Sequence, residues 1–297
     1  MKARLKSTLL VVAALTVAGA TAGLAVLRGP AVAFSVNGEE WSRDDTTRMM
    51  DGLVAVGQFS APSGRVSADD MSAVMSVLVQ YRAGRQLLAK RGITLKKDDI
   101  ESAKRRLEPT FKDAFVVGVL ADMSATGDAL DALTAPSDVK DIYAGNPART
   151  GVLCSVMISS RTEQAARAIV DLIDGGADAV ELARKNAQGS EFERTDGVIA
   201  VDVAQPCAKI SWVKDRVSTA VFSALASTAA GGRSGVVKDT TGWHVVVNRP
   251  WADISAAHSR QFSDVPGRNL AAGFTATSDI SVSPEFGTWN QARQTVE

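Results

Sequence analysis

Two histidines and two cysteines are all that the 297 residues contain, and aromatic side chains make up only 5% of them. A structural or catalytic zinc site needs three or four such ligands brought close together. Cys154, Cys207, His244 and His258 are scattered, so no metal site and no cofactor is expected. A Ser-His-Asp hydrolase would have to draw on one of these two histidines, and no Gly-x-Ser-x-Gly turn is present to expose a nucleophile. Neither glycine-loop pattern that cradles phosphate occurs, so no ATP site is expected. The 33 basic and 33 acidic residues cancel, and no dense Lys/Arg cluster follows the N-terminus. Nucleic acid is therefore not an expected partner, because that role needs a basic face to displace counterions from phosphates. No internal repeat and no long low-complexity linker interrupts the chain, which is long enough for two domains with sizeable cores.

What the N-terminus does contain is a targeting pattern. Lys2, Arg4 and Lys6 precede an uncharged, largely apolar run from Ser7 to Leu27, which Arg28-Gly29-Pro30 ends. Ala31-Val32-Ala33 then offers small residues at the positions a signal peptidase requires, with cleavage before Phe34. Left uncleaved, a run of about 20 residues would span a bilayer core of about 30 Å and anchor the chain. Residues 1–33 are thus read as a signal peptide or a membrane anchor, with membrane association through residues 7–27 in the second case. Both readings leave the basic end in the cytoplasm and the remainder outside it. The protein would then sit on the outer face of the cytoplasmic membrane, in the cell wall, in the periplasm or free outside. No cysteine follows the apolar run, so a lipoprotein anchor is not expected. Export also places Cys154 and Cys207 where a disulfide can persist, which on the chain-entropy model is worth about 4 kcal/mol. The other reading of the pair is two separate buried thiols.

Beyond the targeting segment, residues 34–145 read as a short strand and several helices. Phe34 to Trp41 alternates apolar and polar side chains around Asn37-Gly38, a strand-and-turn signal. A helix beginning at Ser42 would carry Met49, Met50 and Leu53, and fade into the loop near Ala61 to Gly64. Ser67, with Asp70 three residues on, marks a second helix start. Met71, Val74, Met75, Leu78 and Tyr81 recur at helical spacing from there toward Gly92. The methionines are read either as core or as an adaptable binding surface. Lys97 to Leu107, the stretch from Phe111 to about Leu133, and Pro136 to Tyr143 complete the helical part. In residues 146–250, a strand over Val152 to Ile158 precedes helices over Arg161 to Asp174 and Ala177 to Ala187, with Ser160 to Glu163 as a capping box. A long irregular section follows and closes with Ser234 to Val247. Residues 251–275 read as loop, with His258 a solvated side chain. Asp279 to Ser283 alternates like a strand before Pro284-Glu285-Phe286-Gly287-Thr288-Trp289.

The order strand, helix, Gly-Gly, helix, irregular section and final Gly242-Trp243-His244-Val245-Val246-Val247 resembles the parvulin (PpiC) class of peptidyl-prolyl isomerases, over about a third of the chain. The order of Val36-Asn37-Gly38, an amphipathic helix, the stretch from Leu87 to Glu101 and that from Ala135 to Pro147 resembles the helical part of SurA-type exported foldases. A C-terminal strand ending in Phe-Gly-x-Trp occurs in such proteins of Gram-positive type. The resemblance implies an α+β fold: a helical SurA-like chaperone module over 34–145, a small parvulin-like α+β domain over 146–250, and a tail over 251–297. The tail would return its strand to pair near Ser35. It also implies partners, namely unfolded or newly exported polypeptides held as extended segments.

The same resemblance places functional residues. Ser155-Val156-Met157-Ile158 stands where the class has Ser-His-Ile-Leu, so Val156 replaces the first histidine, and His244 matches the second as the candidate catalytic residue. Ala220 to Leu225 matches the helix that follows the apolar cup, so Val217 stands where an aromatic is usual and Val213 where Met or Leu is usual. Val156, Val213, Val217, Phe222 and His244 are the candidate substrate contacts. Asp196-Gly197 corresponds loosely to a glycine-rich turn, the Cys/Asp position falls between Gly189 and Arg194, and Cys207 is an outside candidate for it. Taken alone, His244 also reads as a structural imidazole inside the sheet, and Phe222 and Leu225 as core. The expected function is a folding factor that binds unfolded segments with isomerase activity weak or absent. An active divergent isomerase and a non-chaperone scaffold are the alternatives.

Overall fold

The computed structural model describes residues 32–61, 66–187, 190–202 and 204–297. The apolar run 7–27, and the targeting segment up to residue 31, lie outside the described residues. Among the described residues no helix is long and apolar enough to cross a membrane. The protein is of the α+β class and divides into two compact units. The first holds the described residues up to Leu130 with Ser278–Asn290 and Gln294–Glu297, and the second holds Asp131–Thr277 with Gln291–Arg293.

In the first unit, β1 (Val32–Val36) and β2 (Glu39–Ser42) form a hairpin across Asn37-Gly38, with Phe34 opposite Trp41. Both turn residues have positive φ, 50° and 82°, which Asn and Gly tolerate and most side chains do not. Ser42 caps α1 (Arg43–Ala55) by accepting from the Asp45 N–H, and Ser67 caps α2 (Ala68–Lys90) by accepting from the Asp70 N–H. Then come α3 (Lys97–Leu107) and α4 (Ala114–Asp131), the latter one continuous helix. Met49, Met50 and Met75 are buried, which makes them core. A buried amide chain docks β1 on α2: the Gln86 side chain donates to the Val36 carbonyl and accepts from the Asn37 side-chain amide, 2.7 and 2.8 Å.

The second unit begins with α5 (Val139–Gly145), then β3 (Val152–Leu153) and β4 (Ser155–Ser160), separated by Cys154. Next are α6 (Glu163–Asp174) and α7 (Ala179–Asn186). The cap of α6 is Thr162, which accepts from the Ala165 N–H at 3.2 Å, rather than the expected Ser160. After the irregular section come β5 (Ala208–Lys209), α8 (Ile210–Val213), α9 (Thr219–Ser227), β6 (Val237–Lys238) and β7 (Trp243–Asn248). The sheet order is β4-β7-β6, with β3 and β5 a separate pair. Cys154 and Cys207 are joined in a disulfide.

Residues 251–275, expected as loop, instead form α10 (Trp251–Phe262) and α11 (Pro266–Ala276). The signals that hid them are polar residues between widely spaced apolar ones, and two glycines within α11. Gly273 is there because a Cβ would fall 2.4 Å from the Ala148 carbonyl oxygen. His258 is correspondingly not solvated: it is fully buried on α10, between the rings of Tyr143, Trp251 and Phe262. Back in the first unit, β8 (Ile280–Val282) pairs antiparallel with β1, Ser281 opposite Ser35, and β9 (Trp289–Asn290) pairs with β10 (Thr295–Val296).

Candidate functional site

Directly opposed residues of an antiparallel pair project from the same face of the sheet, and neighbours along a strand alternate. In the β4–β7 pair, Ser159 opposes His244 and Met157 opposes Val246, while Val156 opposes Val247 and Ile158 opposes Val245. The two faces meet different cores. Met157 and Val246 pack with Phe192, Val213, Val221 and Phe222. Val156, Ile158 and Val245 pack with Ala166 and Ile169 of α6 and Ala183 of α7.

A cavity of about 670 Å³ opens on the Met157 face. Its apolar lining is Met157, Phe192, Val217 and Val221; its polar wall is Ser159, Ser218, Thr241 and His244 with Asp239. The residues assigned from the sequence therefore separate. His244 and Val217 line the cavity. Val213 and Phe222 lie in the core that also contains Met157, are fully buried, and do not line it. Val156 is fully buried in the opposite core, so the side chain facing His244 across the strands is Ser159. Of the stretch 189–194, Ser190, Glu191 and Phe192 line the cavity, and neither a Cys nor an Asp occurs there. Cys207 is held in its disulfide. Asp196 and Gly197, both at positive φ, make a turn whose carbonyl end receives the Met157 N–H at 2.8 Å.

His244 is 3% exposed, and both of its ring nitrogens have partners. Nδ1 lies 3.1 Å from Ser159 Oγ; Nε2 lies 2.9 Å from Asp239 Oδ1 and 3.1 Å from Thr241 Oγ1. Asp239 opens the turn into β7, where its Oδ1 accepts the Thr241 and Gly242 N–H groups at 2.7 and 3.1 Å and the Thr241 hydroxyl at 2.7 Å. Burial opposes the charge on Asp239. The bonds from Thr241 and His244, with one from the Ser218 hydroxyl, outweigh it and hold the carboxyl well below the usual carboxylate range. An ionised carboxylate only accepts, so Nε2 carries the ring proton and Nδ1 accepts from the Ser159 hydroxyl. The ring is thus locked in one tautomer, with one edge against the cavity. Ser218 also caps α9, accepting from the Val221 N–H at 3.3 Å, which fixes Val217 and Val221 beside the polar wall. Among the described residues no cluster of three or more His, Cys, Asp or Glu could hold a metal ion.

Asp239, Thr241, Ser159, Met157, Phe192 and Val221 were not assigned from the sequence. The Asp-Thr-Thr-Gly turn before a strand was a usable signal for the first two. Ser159 and Met157 needed the β4–β7 register, which a single sequence does not supply.

No protein-family model matches this chain, and no curated protein matches it. Among solved structures it is similar to the peptidylprolyl isomerase PrsA of Bacillus anthracis, at 16% identity over 66% of this chain and 94% of that one, TM-score 0.27. It is similar to the foldase protein PrsA of Streptococcus pneumoniae, at 13% identity over 82% and 93%, TM-score 0.27. It is also similar to a SurA-like chaperone of Campylobacter jejuni, at 9% identity over 86% and 100%, TM-score 0.26.

Proposed function

We propose that this protein is an exported folding factor that binds extended segments of unfolded polypeptides, with weak or no isomerase activity. The observation that carries the reading is the cavity of about 670 Å³, in which an apolar floor of Met157, Phe192, Val217 and Val221 adjoins hydrogen-bonding groups on Ser159, Thr241 and His244. A chain segment brings both kinds of surface, an apolar side chain and a backbone that must keep its hydrogen bonds when desolvated. In this reading the first unit, with the C-terminal strand, acts as a helical holding module, and the second unit, which contains residues 146–250, as the parvulin-like domain. Partners are unfolded or newly exported polypeptides. The basic and apolar N-terminal pattern supports export, as does a Cys154–Cys207 disulfide of the kind that persists outside the cytosol.

A second reading, an active peptidyl-prolyl isomerase, is favoured by the placement of His244 and its partners directly beside the apolar floor. Isomerisation must lower an amide barrier of about 18–20 kcal/mol, and does so by preferring the twisted amide over both planar forms, without a nucleophile. The test is a protease-coupled isomerisation assay on an Ala-Pro-type peptide, run beside an aggregation assay on a chemically unfolded client. The expected result is suppressed aggregation with no rate enhancement in either the native chain or His244→Ala. Enhancement that His244→Ala abolishes would establish the second reading. Failure in both assays would overturn the folding-factor reading.

A further inference from the structure

The rim of the same cavity is basic. Arg161, Lys185 and Arg216 line it, coming from the start of the β4–α6 loop, from the last turn of α7 and from the segment before α9. The acids that also line it are Glu191 and Asp239. Asp239 keeps its charge, but its Oδ1 is turned to Thr241, Gly242 and the His244 ring and forms no ion pair with the rim cations. Three cations therefore line the cavity with two anions, a net charge of +1, in a chain whose total charge cancels at 33 to 33. Among the described residues the Arg and Lys ion pairs of this unit, Arg167–Glu163, Arg184–Glu181, Lys209–Asp264, Arg233–Asp174 and Arg268–Asp131, include none of the three rim cations. Arg216 is the most fixed of them, with its guanidinium over the Trp212 ring at 5.3 Å. Stacking of this kind leaves the guanidinium edge free to donate.

We propose that the cavity selects extended polypeptide segments carrying an Asp or Glu within a residue or two of the side chain seated on the apolar floor. The inference rests on the folding-factor reading and names the client chemistry for that site. An apolar floor alone would take any small apolar side chain. The three rim cations add a preference that reaches beyond it, because unpaired charges around a partly enclosed cleft raise the local concentration of the opposite charge. A carboxylate there meets a net positive rim, whereas a lysine in the same place meets like charge.

The test is fluorescence anisotropy with the full chain and three labelled peptides that share one Pro-containing sequence and differ only in Glu, Ala or Lys immediately before the proline. The expected order is Glu tighter than Ala, and Ala tighter than Lys. The Glu-to-Ala ratio should be about fivefold to tenfold at low salt, and shrink as salt is raised. The triple variant Arg161→Ala/Lys185→Ala/Arg216→Ala should bind the Ala peptide as before and lose the Glu preference. All three side chains are exposed, and circular dichroism checks that the variant keeps its fold. Equal binding of the three peptides, or a Glu preference that survives in the triple variant, would overturn the proposal while leaving the folding-factor reading standing. Absence of binding to any peptide would overturn both.

Discussion

Acidification from neutral pH should weaken the second unit chiefly through His258. The ring is fully buried, its centroid 5.1 Å from that of Tyr143, 5.0 Å from Trp251 and 5.6 Å from Phe262. Its Nε2 lies 2.9 Å from Thr150 Oγ1, and Nδ1 has no hydrogen-bond partner among the described residues. The Thr150 hydroxyl proton is claimed by the Pro147 and Val152 carbonyls at 2.8 and 2.9 Å, so Nε2–H is the donor to Thr150 and Nδ1 carries a bare lone pair. The other tautomer would bury an unpaired N–H, which costs more. Protonation would place a charge and a second N–H in this aromatic enclosure, and desolvation accordingly pushes the His258 pKa down from 6.5 to about 4. The unfolded chain takes up that proton as pH falls through 6.5 and the folded chain resists until about 4, so stability is full above 6.5 and falls between the two values. At 1.36 kcal/mol per unit, the loss is about 2 kcal/mol near pH 5 and about 3 kcal/mol once both states are protonated. Urea unfolding near pH 7 and near pH 5, on the native chain and on His258→Phe, reads the difference, since phenylalanine fills the same aromatic site and does not titrate. The variant should be less pH-sensitive by about 2 kcal/mol. Equal pH dependence in the two proteins, or a His258 titration by NMR near its free value, would refute the reasoning.

Gly151 sits at φ 75°, where a Cβ would fall 1.8 Å from the Asn269 carbonyl oxygen. Gly151→Ala should therefore cost more than about 3 kcal/mol and lower the thermal midpoint of the second unit by many degrees, as differential scanning fluorimetry would show. Reducing the Cys154–Cys207 bridge, which spans 53 residues, should lower unfolding free energy by about 4 kcal/mol; a double Cys→Ser variant that unfolds at the native urea midpoint would contradict this. Val156→His would bury an imidazole among Ala166, Ala183 and Val245, on the face opposite His244, and should destabilise by about 2 kcal/mol without raising isomerase turnover. A gain in turnover in that variant would mean that the strand faces are assigned the wrong way round.

What the sequence carried best were features written in consecutive residues. Asn37-Gly38 specifies its own turn, Ser42 and Ser67 cap their own helices, and the period of Val74, Met75 and Leu78 marks one buried side of α2. The helices α10 and α11 are hard to read in the sequence because His258, Gly267, Asn269, Gly273 and Thr275 share their buried faces with the few apolar residues there, Ile254, Phe262, Leu270 and Ala276. His258 looks polar in sequence and becomes core because three aromatic rings from distant positions close around it. The α6 cap was misplaced by two residues because Ser160 and Thr162 both satisfy the capping preference, and the choice follows from where β4 stops.

The candidate site turns on the parity of one strand. A strand alternates with period two, so a motif aligned by order alone fixes which residues belong to β4 without fixing which face each one occupies. Ser155-Val156-Met157-Ile158 was matched by order, which drew attention to what Val156 lacks. Register puts Val156 behind the sheet, and puts Met157 and Ser159 in front of it with His244. The absence of a histidine at position 156 therefore removes nothing from the cavity wall in this chain. What distinguishes the wall is a histidine held between a serine hydroxyl and an ionised carboxylate, with Asp239 itself saturated by donors from its own turn. Such a ring is fixed in orientation by partners on both nitrogens, so it shapes the polar wall while the hydroxyls of Ser159 and Thr241 keep acceptor capacity toward the cavity.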